Sequence, residues 1–320
     1  WKETVAMPRT RAPAWQVWVA LTVVYLVWGS TYLGMRVMVE TIPPLLGSGI
    51  RFLAAGVVLY PFLVVRRGWA GVRVGIRQAA ASSLVGLLFL AGGTALIAAA
   101  ERDVPSGLAA VLVATMPLVV VVLGWLVREP VPRTTALGVV VGLVGVAVLL
   151  LPGNPPPEAT ALGLTLTLVA TVSIGVASFL SPRLPVPDDT LVTTAIELLA
   201  AGVVLTAAGL LLGEARGLTL ERVSAASLAA LGYLIVAGSL LAYTAYVWLL
   251  ANVSVAQAAT YTYVNPVVAV VLGWLVLDEQ LTLATLGGAT LIVGSVAAVV
   301  RREFATGSER ATAPAEKAAP

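Results

Sequence analysis

The sequence predicts an all-α polytopic membrane protein with ten transmembrane helices, formed by two inverted five-helix repeats. Three observations carry this. Of 320 residues, 59% are hydrophobic and only 11% charged, whereas a soluble domain carries about 25% charged residues. The charges punctuate apolar runs that reach the roughly 20 residues needed to cross a bilayer. A stretch of the first half also recurs in the second: Pro117 to Gly145 matches Pro266 to Gly294 without gaps at an offset of 149 residues. A water-soluble core of this composition would lack the polar residues to cover itself.

Taken in order, the predicted spans are 15–36, 44–65, 79–100, 104–127, 134–151, 160–181, 190–212, 224–250, 254–277 and 283–300. The first follows Lys2, Arg9 and Arg11 and runs uncharged from Ala12 to Met35, longer than the apolar region of a signal peptide. Glu101-Arg102-Asp103 alone divides the third span from the fourth. The uncharged stretch between Arg222 and Asp278 suits two helices broken near Asn252-Val253-Ser254. The chain thus divides into a cytoplasmic N-terminal segment 1–14, a first repeat 15–151, a second repeat 152–302 and an irregular, disordered cytoplasmic tail 303–320.

Orientation follows from Lys and Arg. With the N-terminus in the cytoplasm, that side receives fourteen of them and the other side three, namely Arg102, Arg216 and Arg222. This is the positive-inside pattern, and it places both termini in the cytoplasm. The net charge of +3 leaves no footprint for nucleic acid. Without Cys or His, zinc sites of the usual kind, His-ligated haem and Ser-His-Asp or Cys-His catalysis are excluded. No cofactor and no metal are expected.

In the repeat, Leu123-Gly124-Trp125-Leu126-Val127 matches Leu272-Gly273-Trp274-Leu275-Val276, and an acidic residue follows in each, Glu129 and Asp278. Five spans per copy make the second copy enter from the opposite side. Such pairs enclose a substrate path that opens alternately to each side. Gly86, Gly92 and Gly93 in span three, Gly138, Gly142 and Gly145 in span five, and Gly287, Gly288 and Gly294 in span ten read as packing seams.

Polar and aromatic residues deep in spans are the candidates for a substrate cavity: Trp28, Ser30, Thr31, Tyr32, Tyr243, Tyr246, Trp248, Tyr261, Tyr263 and Asn265. Tyr and Trp pair an apolar face with a hydrogen-bonding handle, which suits amphipathic solutes. Near a membrane edge the same residues serve as an interfacial belt. Glu197 is the one carboxylate well inside a predicted span. It is read either as a proton relay or substrate-ammonium partner, or as a protonated or hydrogen-bonded structural residue. Arg51 either attracts a substrate carboxylate or snorkels to the interface. Pro117 and Pro266 hold matching positions and serve as gating hinges or as packing kinks.

Trp28-Gly29-Ser30-Thr31-Tyr32, Pro43-Pro44, Arg51-Phe52, Val104-Pro105-Ser106-Gly107, Pro117 with Glu129, and Tyr263-Val264-Asn265-Pro266 with Asp278-Glu279 fall in order along residues 15–302. In these the chain resembles the EamA family of the drug/metabolite transporter superfamily. The resemblance implies a bacterial inner-membrane exporter of amino acids, aromatic ones included, or other metabolites. It also implies a central cavity, alternating access and no ATP-binding domain. The expected partners are a small-molecule substrate, membrane lipid and, by way of Glu197, protons; a single chain suffices. A broad drug or organic-cation exporter is the alternative within transport. An intramembrane enzyme, or a receptor or assembly subunit, is the alternative outside it.

Overall fold

The computed structural model describes residues 13–129, 133–150, 158–216, 218–253, 258 and 260–312. Among the described residues seven helices are long and apolar enough to cross a membrane: α1 Ala14–Met38, α2 Pro44–Val72, α3 Ile76–Ala100, α4 Ser106–Leu126, α6 Ala161–Arg183, α7 Thr190–Leu211 and α8 Ala225–Leu249. Three further helices with shorter apolar stretches complete the two sets of five: α5 Arg133–Leu150, α9 Tyr261–Leu277 and α10 Leu283–Thr312. The side on which Ala14 lies is called the near side below, and the opposite side the far side.

The helix contacts come in repeat-related sets. Equivalent helices pack on one another as α2 with α7, α4 with α9 and α5 with α10. The α3–α6 contact is matched by α8–α1, and α4–α6 by α9–α1. Small residues permit these approaches in lipid, where apolar burial alone gives little drive. A Cβ on Gly202 would lie 2.4 Å from Leu53 N, and one on Gly56 would lie 2.8 Å from Leu199 Cγ, so α2 and α7 cross reciprocally. Gly86, Gly92 and Gly93 likewise press on Glu197, Ser173 and Ile174. In α5, Gly142 and Gly145 meet Leu118 and Ile292, but Gly287 and Gly294 of α10 have nothing within 4 Å among the described residues. Within that seam a Cβ on Gly145 would also lie 3.2 Å from the carbonyl oxygen of the buried Gly288 of α10.

Helix ends show how the repeats are tied together. Asp189, Ser224 and Thr160 cap their own helices, accepting backbone N–H groups at the starts of α7, α8 and α6. The starts of α2 and α4 follow Pro43 and Pro105 and have no such side chain of their own. Instead, Glu214 from the α7–α8 connection accepts from Leu45 N and Leu46 N at 3.3 and 2.8 Å. Glu279, just after α9, accepts from Ser106 N and Gly107 N at 2.7 and 3.1 Å. A carboxylate of the second repeat thus supplies each orphan helix start of the first on the far side.

Three sequence expectations change. Glu129 N bonds to Gly124 O and Glu279 N to Gly273 O, each after a residue in the left-handed conformation, Arg128 or Asp278. The repeat partner of Glu129 is therefore Glu279, not Asp278, because one extra residue, Leu277, lengthens the second copy. α4 breaks between Val113 and Met116, with Pro117 in the first turn after the break, whereas α9 runs unbroken through Pro266. The two prolines are thus not matching kinks: Pro117 needs no helical acceptor where it sits, while Pro266 removes one bond from an intact helix. Finally, α10 continues to Thr312, past Arg302 where the irregular tail was expected. Arg, Glu and Ala are good helix formers, and propagation from a formed helix is cheap; residues 313–320 lie outside the described residues.

Apolar side chains such as Val65, Leu211 and Leu283 face outward and are more than four-fifths exposed, as lipid-facing residues would be. Trp125 and Trp274, the tryptophans of the repeated motif, are exposed at the near end of α4 and the far end of α9. Their placement at opposite ends fits inverted copies and suits a tryptophan at a membrane interface.

Candidate functional site

A largely apolar cavity lies between the two repeats, with about 730 Å³ of space between atoms when its opening to solvent is included. All but α5 and α10 contribute lining residues. Towards the near side its wall is aromatic. The Trp28 ring lies 4.8 Å from Tyr246 and 5.0 Å from Tyr261, the latter edge-on, and 6.3 Å from both Phe89 and Tyr243. Offset and edge-on contacts of this kind fix ring orientations beyond simple burial.

α1 can present these groups because it is π-helical over Val24–Trp28. A π segment leaves carbonyls without their usual partners, and the next hydroxyls fill them. Ser30 Oγ donates to Leu26 O and Thr31 Oγ1 to Trp28 O, both at 2.7 Å. α3 and α8 are π-helical as well, over Leu87–Ala95 and Leu234–Ala242, nine residues each at corresponding places in the two repeats. These paired segments carry Phe89, Thr94, Gly238 and Ser239 into the cavity wall.

Arg51 stands nearer the far side. It is 4% exposed, its Nε donates to Ser239 Oγ at 2.9 Å, and its Cζ lies 5.0 Å from the Phe52 ring centroid. A Cβ on Gly238 would come within 2.9 Å of Arg51 Nη2, so the absent side chain there makes room for the guanidinium. Among the described lining residues Arg51 supplies the cationic group, and no carboxylate faces the space. The polar remainder is Thr31, Tyr32, Thr94, Thr262 and Asn265, with Ser239, Tyr243 and Tyr261. With its amide turned so that the nitrogen faces these acceptors, Asn265 donates to Tyr25 O at 3.1 Å and Tyr261 O at 3.3 Å, tying α9 to α1.

The structure brings Trp28, Thr31, Tyr32, Arg51, Tyr243, Tyr261, Asn265 and Pro266 to the cavity. Tyr246 stands behind Trp28 and Tyr261 in the aromatic cluster. Ser30 turns away to its own helix and to the Tyr233 hydroxyl, and Trp248 packs half-buried in the body of α8. Pro117 is buried near the break in α4 without lining the space. The Tyr263 side chain lies outside the described residues. Phe89, Thr94, Ile97 and Ser239 were missed, because α3 and the middle of α8 show no polar or aromatic run, and only the fold aims them inward.

Glu197 is 3% exposed and sits behind Tyr243, whose hydroxyl donates to Glu197 Oε2 at 2.5 Å. Its place has a counterpart. Arg51-Phe52-Leu53-Ala54-Ala55-Gly56-Val57-Val58-Leu59 aligns with Glu197-Leu198-Leu199-Ala200-Ala201-Gly202-Val203-Val204-Leu205, identical from the third residue onward. The reciprocal crossing at Gly56 and Gly202 gives this alignment a physical basis. Arg51 and Glu197 are thus equivalent positions of opposite charge in the two repeats. Both bond to α8, at Ser239 and Tyr243, one turn apart. The sequence held this signal in plain view, at a slightly different offset from the longer match.

The fold, the paired helices and the cavity at the repeat interface fit the sequence profile of the EamA-like transporter family, which matches residues 15–151 and 161–301. The chain belongs to the EamA-like transporter family. The inner membrane transporter YedA of Escherichia coli (strain K12), described as uncharacterized, is 41% identical over 256 residues, 79% of this chain and 80% of that protein. Transporter YoaV of Bacillus subtilis (strain 168), also described as uncharacterized, is 28% identical over 281 residues, 87% and 94% of the two chains. Protein PecM of Dickeya dadantii (strain 3937) is 29% identical over 277 residues, 84% and 87%. A solved structure titled only as a crystal structure of protein aligns with TM-score 0.63 over 93% of this chain and 100% of that one. At 20% identity that likeness concerns the fold. By family the EamA-like chain is a multi-pass membrane transporter.

Proposed function

We propose that this EamA-like chain exports small amphipathic metabolites across the bacterial inner membrane, amino acids including aromatic ones foremost, by alternating access of the central cavity. The carrying observation is the cavity itself: an aromatic wall at Trp28, Tyr261 and Phe89, a guanidinium at Arg51, and hydrogen-bonding groups at Asn265 and Thr262 between them. An apolar body fits the rings, a carboxylate suits the guanidinium, and a ring face attracts an ammonium. The absence of a lining carboxylate among the described residues disfavours the organic-cation alternative. In this reading the near side is cytoplasmic, with both termini there, and a single chain forms the path. The reading of Glu197 as a proton relay rests on its burial and its bond to Tyr243.

The test is a proteoliposome panel of labelled amino acids, aromatic carboxylates, nucleobases, sugars and organic cations, with and without a proton gradient. Amino-acid flux that falls in Trp28→Ala and Asn265→Ala at unchanged protein abundance supports the proposal. Robust movement of another class with no amino-acid flux would refute the substrate assignment. Unchanged gradient-driven flux in Glu197→Gln would remove the relay.

A further inference from the structure

The third span ends at Ala100, and Glu101 follows it in what reads as a polar loop. The fold does not leave it there. Glu101 is 0% exposed, and both of its carboxyl oxygens lack a hydrogen-bond partner among the described residues. The charged and titratable groups that face it come from three elements: Tyr32 and Arg36 on α1, Arg51 on α2, and Glu279 after α9. None of them bonds to the carboxyl. Arg36 donates to the Glu101 backbone carbonyl, Arg51 to Ser239, and Glu279 is held by the start of α4.

An ionised carboxylate sealed from water with no donor is costly, and the neutral acid is the less expensive form. Burial pushes the Glu101 carboxyl well above the usual carboxylate range, and the negative charge of Glu279 pushes the same way. Arg36 and Arg51 oppose the shift without overcoming it. A raised value means the group holds its proton to higher pH than an ordinary carboxyl and gives it up as pH climbs, or as water enters.

We propose that Glu101 is a proton-binding site at the far end of the cavity, neutral while that end is closed and ionised when it opens to water. Rehydration removes the desolvation cost that keeps the proton in place. Arg51 connects this site to the cavity. An anion seated on Arg51 cancels the nearest favourable charge inside the cavity, so anion and proton bind more tightly together than apart. Glu101 towards the far side and Glu197 in the near half then give the carrier one buried carboxyl on each side of its cavity. The use of that proton in transport rests on the reading of the chain as a carrier; its presence does not.

The deciding measurement is infrared difference spectroscopy of the full chain reconstituted in lipid, recorded against pH without solute. The expected result is one component of the protonated-carboxyl carbonyl band that is lost in Glu101→Gln, persists in Glu197→Gln and disappears from the wild type as pH is raised. A spectrum unchanged by Glu101→Gln overturns the proposal. If Glu101→Gln fails to fold, modification of the wild type by dicyclohexylcarbodiimide, which targets protonated carboxyls in apolar sites, is mapped by peptide mass. An adduct at Glu101 that fades at alkaline pH supports the site, and an unmodified Glu101 overturns it. A band at Glu101 with no solute moved in any panel would fault the transport reading and leave the proton site standing.

Discussion

The crossing of α2 and α7 gives a quantitative test of the pseudo-two-fold. Gly56 and Gly202 are equivalent in the two repeats, yet an added methyl meets different atoms at each. At Gly202 the new Cβ would lie 2.4 Å from Leu53 N and 2.7 Å from Leu53 Cα, both backbone. At Gly56 it would lie 2.8 and 2.9 Å from Leu199 Cγ and Cδ2, the movable end of a side chain, and 3.1 Å from Leu199 N. Ordinary contact is about 3.5–4.0 Å, so Gly202→Ala must push the backbones of α2 and α7 apart by about 1 Å. Overpacking of this kind costs about 1–3 kcal/mol. Gly202→Ala should fall at the upper end of that range and Gly56→Ala near about 1 kcal/mol, since Leu199 can turn aside. The double variant should cost less than the sum, because one separation of the helices relieves both clashes. Thermal or denaturant unfolding of the detergent-purified protein measures all three. A Gly56→Ala variant as costly as Gly202→Ala would refute the backbone contact assigned to Gly202, and a strictly additive pair would refute the shared crossing.

Three further outcomes are expected. Arg51→Gln should lower the flux of carboxylate-bearing solutes by roughly 10- to 100-fold, the worth of about 1.5–3 kcal/mol for a charged hydrogen bond, and spare neutral ones; Gly238→Ala, which crowds Arg51 Nη2, should move flux the same way in the same proteoliposome assay. Glu214→Ala and Glu279→Ala should each cost about 1–2 kcal/mol in unfolding measurements by stripping two N–H groups of their acceptor, whereas Arg183→Ala, from a pair that is about half exposed, should cost about 0–1 kcal/mol. The chain has no native cysteine, so single cysteines report topology cleanly: an impermeant maleimide added outside intact cells should label Gly213→Cys and not Gly68→Cys.

Much of the architecture was legible because lipid imposes it. Apolar runs, flanking charges and an odd number of spans per repeat constrain the chain before any packing is known. The rings at Trp28, Tyr243 and Tyr261 could be singled out as deep and amphipathic, and they do line the cavity. Ser30 and Trp248 satisfied the same criterion and do not, because a helix aims neighbouring residues about 100° apart and hydropathy alone does not say which face meets a partner. Phe89 and Ser239 went unnoticed for the converse reason: their π-helical segments rotate them inward, and no composition marks them.

The carboxylates show the division most clearly. Composition and repetition alone determined a polytopic helical protein built of two copies, the residues 15–302 that carry them, and Glu197 as a deep acidic group. Only tertiary structure decided that Glu279 and Glu214 close helix starts of the other repeat, that Glu129 answers to Glu279, and that Arg51 faces Ser239. It alone decided that Glu101, one residue beyond a span, is sealed from water. The reason is physical: membrane insertion depends on the hydropathy of one segment at a time, which the sequence states directly. The burial of a single carboxyl depends on which helices of which repeat close around it, and that is fixed only when all of them pack together.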